Sequence, residues 1–250
     1  MYMKKFYEFK KSDLKPTNSF KIKDNLNPVV WEGFRMKEDI REQLITIANE
    51  YLSMVLGKFE VVDIILTGSM ASYNWSKYSD FDIHIKIDYK DINENEELVT
   101  EYLKLLSKKF NREFDLKIFD YEIELFVEDI NKDDSHIHGI YSILKGKWNK
   151  KPNLQEIKNI DIKYIELKAS MIMEETDRLA VLKNNKSYGD LKKVANNLWN
   201  KIKKGRKDGI ESPQGEFSIG NLVFKYLRRN GYIEKIINLK KEIVQEEYSL

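Results

Sequence analysis

Cysteine is missing from this sequence, and histidine and proline are scarce, with 3 and 4 residues among 250. The absence of cysteine excludes disulfides, thiolate zinc sites and a cysteine nucleophile, and it fits a reducing cytoplasm. No segment approaches the roughly 20 consecutive apolar residues of a membrane span. The basic N-terminal stretch MYMKKFYEFKK is not followed by the apolar run of a secretory signal. The sequence therefore predicts a soluble, cytoplasmic protein without a membrane partner.

An excess of one charge is also missing, because 43 basic residues nearly balance 41 acidic ones. A general attraction to nucleic acid is thus not indicated, and any polyanion site has to come from a local cluster. Hydrophobic residues make up 42% of the chain and aromatic residues 12%, which is sufficient for a packed core. The length permits one large domain or two small ones.

The hydrophobic pattern divides the chain into three parts. Residues 1–35 are irregular, and Trp31 and Phe34 indicate that this N-terminal extension packs onto the body. Residues 36–150 mix helical and strand patterns, whereas residues 151–250 show helical patterns alone. We therefore predict an α+β fold, in which a domain with a small mixed sheet flanked by helices is followed by a C-terminal helical domain.

The mixed part contains recognisable helix and strand patterns. DLKIFDYEIELFVED (115–129) is typical of one or two strands with a hairpin turn near Asp120, and NKDDSHIHG after it is predicted to be a loop. Two helices and two strands are predicted before it: the helices at 37–56 and 96–110, and the strands at VVDIILTG (61–68) and FDIHIKID (81–88).

Two carboxylates, Asp80 and Asp82, lie at the start of the second strand. Because side chains alternate along a strand, an Asp-x-Asp pair projects to one side. Adjacent carboxylates repel, and one takes up a proton unless a cation lies between them. Mg²⁺ suits such a pair, since it prefers oxygen ligands and keeps waters for a phosphate-bearing substrate. The alternative is a solvated strand end whose acids face water.

Two further features favour a phosphate site. Gly68-Ser69 ends the preceding strand, where a glycine allows close backbone approach and a hydroxyl can hold phosphate oxygens. A later strand offers another acid in an apolar setting, Glu124, with Glu122 on the same face as its rival. Three carboxylates on neighbouring strands are what a two-metal phosphoryl-transfer site requires.

The order Gly-Ser, Asp-x-Asp and strand acid resembles the nucleotidyltransferase superfamily with the DNA polymerase beta catalytic fold. Four segments together are similar to a group of uncharacterised nucleotidyltransferases of phage and prophage genomes: TGSMASYNWSKYSDFDIHI, EIELFVEDIN, HIHGIYSILKGKW and GEFSIGNLVFKYLRRNGY. The resemblance extends over residues 19 to 235. It implies a polymerase-beta-like catalytic domain at 36–150, a helical domain at 151–250, and a bacterial or phage-infected host cell.

The resemblance also implies roles for individual residues. Asp80 and Asp82 correspond to the metal-ligating pair, and Gly68 and Ser69 to the residues that hold the β- and γ-phosphates of a nucleoside triphosphate such as ATP. Glu124 corresponds to the third carboxylate and base, although a glutamate stands where an aspartate is commoner. The implied cofactor is a pair of Mg²⁺ ions, with Mn²⁺ as the alternative.

The helical part adds candidates for nucleotide binding. Ser218, Asn221 and Lys225 recur at i, i+3 and i+7 and so share one helix face. In the superfamily the helical domain commonly supplies a lysine to the triphosphate and a polar side chain to the nucleotide, which the resemblance transfers to Lys225 and Ser218. The segment 192–207 carries seven basic residues and no acid. It is either a solvated helix face or a site for polynucleotide phosphates.

The three histidines are interpreted as supporting residues. His84 is in register with Asp82 and is expected to orient a neighbouring group. His136 and His138 follow directly after the Glu124 strand, and the resemblance implies that their loop forms part of the edge of the site. A lone His-x-His pair in a polar loop rarely binds a transition metal.

The sequence thus predicts a metal-dependent nucleotidyltransferase, which moves a nucleoside monophosphate from a nucleoside triphosphate to an acceptor hydroxyl and releases pyrophosphate. An RNA 3′ end, such as that of a tRNA, is the first acceptor considered, because of the basic segment 192–207. The alternatives are a small-molecule or protein acceptor, synthesis of oligonucleotides or cyclic nucleotides, and a catalytically silent nucleotide-binding protein.

Overall fold

The computed structural model describes residues 17–55, 60–157, 160–183 and 188–248, which form two compact units. The sheet unit comprises residues 19–55 and 60–157 together with 211–217. The helical unit comprises residues 17–18, 160–183, 188–210 and 218–248. The predicted boundaries lie at 35 and 150, whereas the chain keeps 19–35 in the sheet unit. Residues 1–16 of the predicted extension lie outside the described residues.

The described part of the sheet unit contains eight strands, two α-helices and several short 3-10 helices. Its strands are β1 (Trp31–Glu32), β2 (Arg35–Met36), β3 (Asp63–Thr67), β4 (Phe81–Ile87), β5 (Lys117–Ile118), β6 (Tyr121–Asp129), β7 (Ile140–Ser142) and β8 (Lys147–Lys150). Its helices are α1 (Glu38–Val55) and α2 (Glu96–Glu113). β1 and β2 form a small antiparallel pair. The other strands form one mixed sheet in the order β5-β6-β4-β3-β7-β8, in which β4 and β6 are parallel. The predicted α+β class is confirmed.

Alternation along β4 and β6 separates two faces of this sheet. Ile83 and Ile85 of β4 and Leu125 and Val127 of β6 are buried and pack with the apolar sides of α1 and α2. Burial of a side chain of this size contributes about 1.5–3 kcal/mol each relative to exposure. The residues between them project to the opposite face, which carries the acids.

Helix α2 also protects the outer edge of β6. Asn111 Nδ2 donates to the Leu125 carbonyl oxygen at 3.0 Å, and its Oδ1 accepts from the Leu125 N–H at 3.0 Å. These bonds take the place of a strand partner beyond the two-residue β5. β6 is therefore held between α2 and β4, which fixes its register.

The helical unit contains α3 (Ile162–Lys183), α4 (Tyr188–Ile210), α5 (Ile219–Arg229) and α6 (Tyr232–Tyr248). On α3, Ile165, Ala169 and Met173 are buried at the four-residue spacing of a helix face. Asp177 ties α3 to α6, because it accepts from the Tyr232 hydroxyl at 3.0 Å and from Lys235 Nζ at 2.5 Å. Among the helices that the structure describes, none combines the length and apolar character needed to cross a bilayer.

The predicted elements of the mixed part are confirmed to within a few residues at their ends. The predicted helices are α1 and α2, the predicted strands are β3 and β4, and 115–129 forms β5 and β6 with its turn at Phe119 and Asp120. Strands β7 and β8 are not predicted from the sequence. They contain 3 and 4 residues, too few to display an alternating pattern.

Candidate active site

Three carboxylates from neighbouring strands converge at one end of the sheet. The parallel register places Asp82 of β4 opposite Glu124 of β6, and Asp80 lies one residue before β4. One oxygen of each carboxylate lies within 4.8 Å of the others. If all three are charged, each pair repels by about 3 kcal/mol at an effective dielectric constant of 20. A divalent cation reverses this repulsion, and hard ions such as Mg²⁺ prefer oxygen ligands. The residues therefore fit a divalent metal ion.

The geometry distinguishes Glu124 from its rival. Glu122 lies on the same face of β6, but it is exposed and stands opposite Lys117 of β5. Glu124 is half-buried and belongs to the acidic cluster, which among the described residues does not include Glu122. The third carboxylate of the cluster is therefore Glu124.

Gly68 is required by the position of Asp82. It follows Thr67, the residue of β3 that pairs with Asp82 across the sheet. Its φ of +68° lies in the left-handed region, which glycine adopts without steric cost. A Cβ on Gly68 would overlap Asp82 Oδ2 and lie 3.1 Å from Asp82 Cγ. The predicted phosphate-binding turn is thus in direct contact with Asp82 of the predicted metal-ligating pair.

Ser69 stabilises the loop that leads to the acids. Its side chain is buried, and its hydroxyl donates to Ser79 Oγ at 2.8 Å. Ser79 Oγ also accepts from the Ser76 N–H at 2.9 Å. These bonds hold the loop immediately before Asp80. A contact between Ser69 and a phosphate remains a prediction, and the structure assigns its hydroxyl a role in placing the acids.

His84 lies against Glu128. Its Nδ1 lies 2.9 Å from Glu128 Oε1. Lys86 Nζ lies 3.2 Å from Glu128 Oε2 and 2.7 Å from Asp134 Oδ2. Burial by itself raises the pKa of the Glu128 carboxyl. The contact with His84, the charge of His84 and the Lys132 ammonium lower this pKa by more than burial raises it. The pKa of Glu128 therefore lies well below its usual range.

This network is not predicted from the sequence. The signal is nevertheless present, because the alternation in FDIHIKID and EIELFVED places His84, Lys86 and Glu128 on the same sheet face as the acids. The sequence does not show which of these charges pair with each other, because the paired residues lie on strands that are far apart in the chain.

The HIHG loop anchors the segment 211–217. The His138 ring packs edge-on against Phe217, with 4.8 Å between ring centroids. Asn74 Nδ2, from the loop before the acids, donates to Glu216 Oε2 at 2.6 Å. No metal cluster among the described residues includes a histidine. His138 is therefore a packing residue of the sheet unit.

Ser218 and Lys225 belong to the helical unit and are described there. Ser218 is the N-cap of α5, and its Oγ accepts from the Asn221 N–H at 3.4 Å. It is buried, whereas Lys225 is half-buried. The structure therefore gives Ser218 a helix-capping role. Nucleotide binding by Ser218 and Lys225 remains a prediction.

The basic segment 192–207 is partly neutralised within the helical unit. Lys192 Nζ lies 2.7 Å from Glu247 Oε2, and Lys204 Nζ lies 2.5 Å from Asp208 Oδ2. The segment is thus less basic in the fold than in the sequence. Binding of polynucleotide phosphates at this segment also remains a prediction.

Comparison with known proteins yields no relative: no family model, no curated protein and no solved structure matches this chain. The case for a function therefore depends on the motifs and on the geometry of the acidic cluster.

Replacement of Gly68 by alanine tests the contact with Asp82. The left-handed backbone is expected to cost about 1–2 kcal/mol of stability, and the new Cβ displaces the Asp82 carboxylate. We expect Mn²⁺ affinity, measured by isothermal titration calorimetry, to fall at least about tenfold.

Gly33→Ala is the matched control, since Gly33 has φ of +59° and a Cβ there would meet no atom within 4 Å. It should lose similar stability and keep its metal affinity. Equal Mn²⁺ affinities in Gly68→Ala and Gly33→Ala would contradict the assignment.

Replacement of Glu128 by glutamine tests the charged network. Because the folded-state pKa of Glu128 is lowered, its carboxylate stabilises the fold above the unfolded-state pKa of about 4.3. That stabilisation is lost as the pH falls from there towards the folded-state pKa. At pH 7 we expect Glu128→Gln to lower the free energy of unfolding by about 1.5–3 kcal/mol.

Urea unfolding at a series of pH values measures the effect. The difference from wild type should shrink below a pH of about 4. Glu122→Gln, an exposed glutamate on the same strand, should show no such trend. A Glu128→Gln difference that stays constant down to acid pH would contradict the ionic contribution.

Proposed function

We propose that this protein is a metal-dependent nucleotidyltransferase, which transfers a nucleoside monophosphate from a nucleoside triphosphate to an acceptor hydroxyl. The observation that carries the proposal is the convergence of Asp80, Asp82 and Glu124 beside the Gly68 turn. A solvated strand end would leave acids exposed and dispersed. Here all three are half-buried and lie within 4.8 Å of one another.

The proposed reaction balances without a further co-reactant. The acceptor oxygen forms a bond to the α-phosphorus, the bond from that phosphorus to the bridging oxygen breaks, and pyrophosphate leaves with the electron pair. The hydroxyl proton passes to Glu124, the proposed base. Bound divalent ions would lower the pKa of the acceptor hydroxyl and neutralise charge on the triphosphate.

The remaining residues of the site have positioning roles in this proposal. Asp80 and Asp82 would hold the metal. The left-handed Gly68 allows the chain to turn past the Asp82 carboxylate, which leaves room beside it for the triphosphate. Ser69, through its bond to Ser79, keeps Asp80 in place. All of these groups lie within the sheet unit.

Incubation with each radiolabelled nucleoside triphosphate and Mg²⁺, with and without bulk RNA, tests the function. Label in RNA supports an RNA acceptor, label in the protein supports a protein acceptor, and a new soluble labelled product supports a small molecule or an oligonucleotide. No transfer in any arm, from folded and metal-bound protein, would contradict the proposal and favour a silent nucleotide-binding protein.

A pair of glutamates on β6 allows a matched test of the site. We expect Glu124→Gln and Asp82→Asn to lower the transfer rate by about 100-fold or more, because each removes a proposed metal ligand. Glu122→Gln, two residues from Glu124 and outside the cluster, should retain the wild-type rate. Circular dichroism checks that each variant is folded.

The assignment fails if the Glu124→Gln or Asp82→Asn variant turns over at the wild-type rate. It also fails if Glu122→Gln is the variant that loses activity, since the third carboxylate would then be the exposed one.

A further inference from the structure

A second feature of the sheet unit is a cavity whose lining contains none of the three acids. It is an open cavity of about 590 Å³, here called the edge pocket. Pro28, Val29, Phe119 and Tyr121 supply apolar lining, and Lys37 and Lys77 supply two ammonium groups. The volume lies within the roughly 300–1,000 Å³ of ordinary small-ligand sites.

The edge pocket lies at the same end of the sheet as the acids. Tyr121 is the first residue of β6, three before Glu124, and its ring lies 6.2 Å from that of Phe81, the first residue of β4. Lys77 precedes Asp80 by three residues.

The edge pocket and the acids lie on different faces of the sheet, because Phe81 and Tyr121 alternate with Asp82 and Glu122 and pack with the apolar core. Gly68 follows β3, the acids lie on β4 and β6, and the turn that carries Phe119 joins β5 to β6. If the triphosphate lies at the Gly68 turn beside Asp82, the edge pocket is left for a nucleotide of the acceptor that reaches the acids around the ends of the strands.

Phe119 is an unusual residue for its position. It lies in the two-residue turn between Ile118 and Tyr121, with φ of +53° and a side chain that is 65% exposed. Glycine adopts that backbone freely, whereas a phenylalanine there is strained. Because the ring is largely exposed, it gains little from packing in the free protein. Its contribution is an aromatic wall for the edge pocket.

The charges of the edge pocket select the kind of ligand. In the part of the chain that the structure describes, neither Lys37 nor Lys77 has an ion-pair partner, although Lys37 Nζ donates to the Pro28 carbonyl oxygen at 2.8 Å. Asp120 is the acid of the lining, which leaves one net positive charge. Such a lining disfavours a polycationic acceptor. Aromatic walls with ammonium groups suit a base that carries a phosphate.

We propose that the edge pocket binds a nucleotide of the acceptor, with Phe119 stacked on the base and Lys37 and Lys77 on the phosphate. The assignment to the acceptor rests on the proposed nucleotidyl transfer, while the binding of a nucleotide can be tested by itself. The substrate class is thereby narrowed to acceptors that contain a nucleotide.

Equilibrium dialysis with radiolabelled adenosine and AMP, in EDTA, tests binding without a contribution from metal at the acids. Wild type is expected to bind both and to prefer AMP. Phe119→Gly should weaken binding of both at least about fivefold. Its Tm should stay within about 4 °C of wild type, because glycine relieves the strained backbone.

Two further variants complete the binding test. Lys77→Met should reduce the preference for AMP and leave adenosine affinity unchanged. Tyr102→Ala is the matched control, because Tyr102 is 51% exposed on α2 and away from the edge pocket, and it should bind as wild type does.

Several results would overturn the proposal. One is a wild type that binds neither probe at millimolar concentration, and another is unchanged binding in both Phe119→Gly and Lys77→Met. In the transfer assay, a raised KM for the nucleoside triphosphate in Phe119→Gly would assign the pocket to the donor and exclude the acceptor.

The proposed nucleotidyl transfer and the proposed nucleotide binding in the edge pocket can be contradicted independently of each other. Asp82→Asn should retain AMP binding in EDTA even though transfer is lost. If wild type binds AMP but transfers no nucleotide, only the proposed nucleotidyl transfer is contradicted. If wild type transfers a nucleotide but Phe119→Gly and Lys77→Met bind AMP as wild type does, only the proposed edge-pocket site is contradicted.

Discussion

Repulsion among three carboxylates is the constraint around which the sheet unit is arranged. Their oxygens lie within 4.8 Å of one another, and a flexible chain would let them move apart. They are held together by the parallel pairing of β4 with β6 and by burial of the opposite sheet face against α1 and α2. Asn111 adds a clamp on the free edge of β6. Folding energy from the apolar face thus maintains an arrangement that the acids alone disfavour.

Two further acids on this sheet face, Glu128 and Asp63, have partners from the chain itself. Glu128 lies against His84 and Lys86, and the buried Asp63 accepts from Ser142 Oγ at 2.6 Å and from Lys145 Nζ at 3.1 Å. In the triad, three carboxylates each place one oxygen within 4.8 Å of the others. Oxygen ligands in such an arrangement are what a hard divalent cation prefers.

The proposed reaction centre lies at one end of the sheet. Gly68 follows β3, and Asp82 and Glu124 lie near the start of the parallel strands β4 and β6. A triphosphate at the Gly68 turn would therefore have its phosphates beside the proposed metal ligands. In-line displacement would then require the acceptor oxygen to approach from the side of the phosphorus away from the leaving pyrophosphate.

Local patterns in the sequence determined much of this site. Alternation in FDIHIKID specifies a strand that projects Asp82 away from the apolar face, and the β-branched VVDIILTG specifies the strand that delivers Gly68 beside it. The tertiary structure alone decided three features. They are the choice of Glu124 over Glu122, the pairing of His84 with Glu128, and the strands β7 and β8. Each depends on register between segments distant in the chain, and a period of two places both glutamates on the same face without stating which one stands opposite Asp82. The edge pocket likewise exists only because folding brings residues 28–37, Lys77 and the β5–β6 turn together.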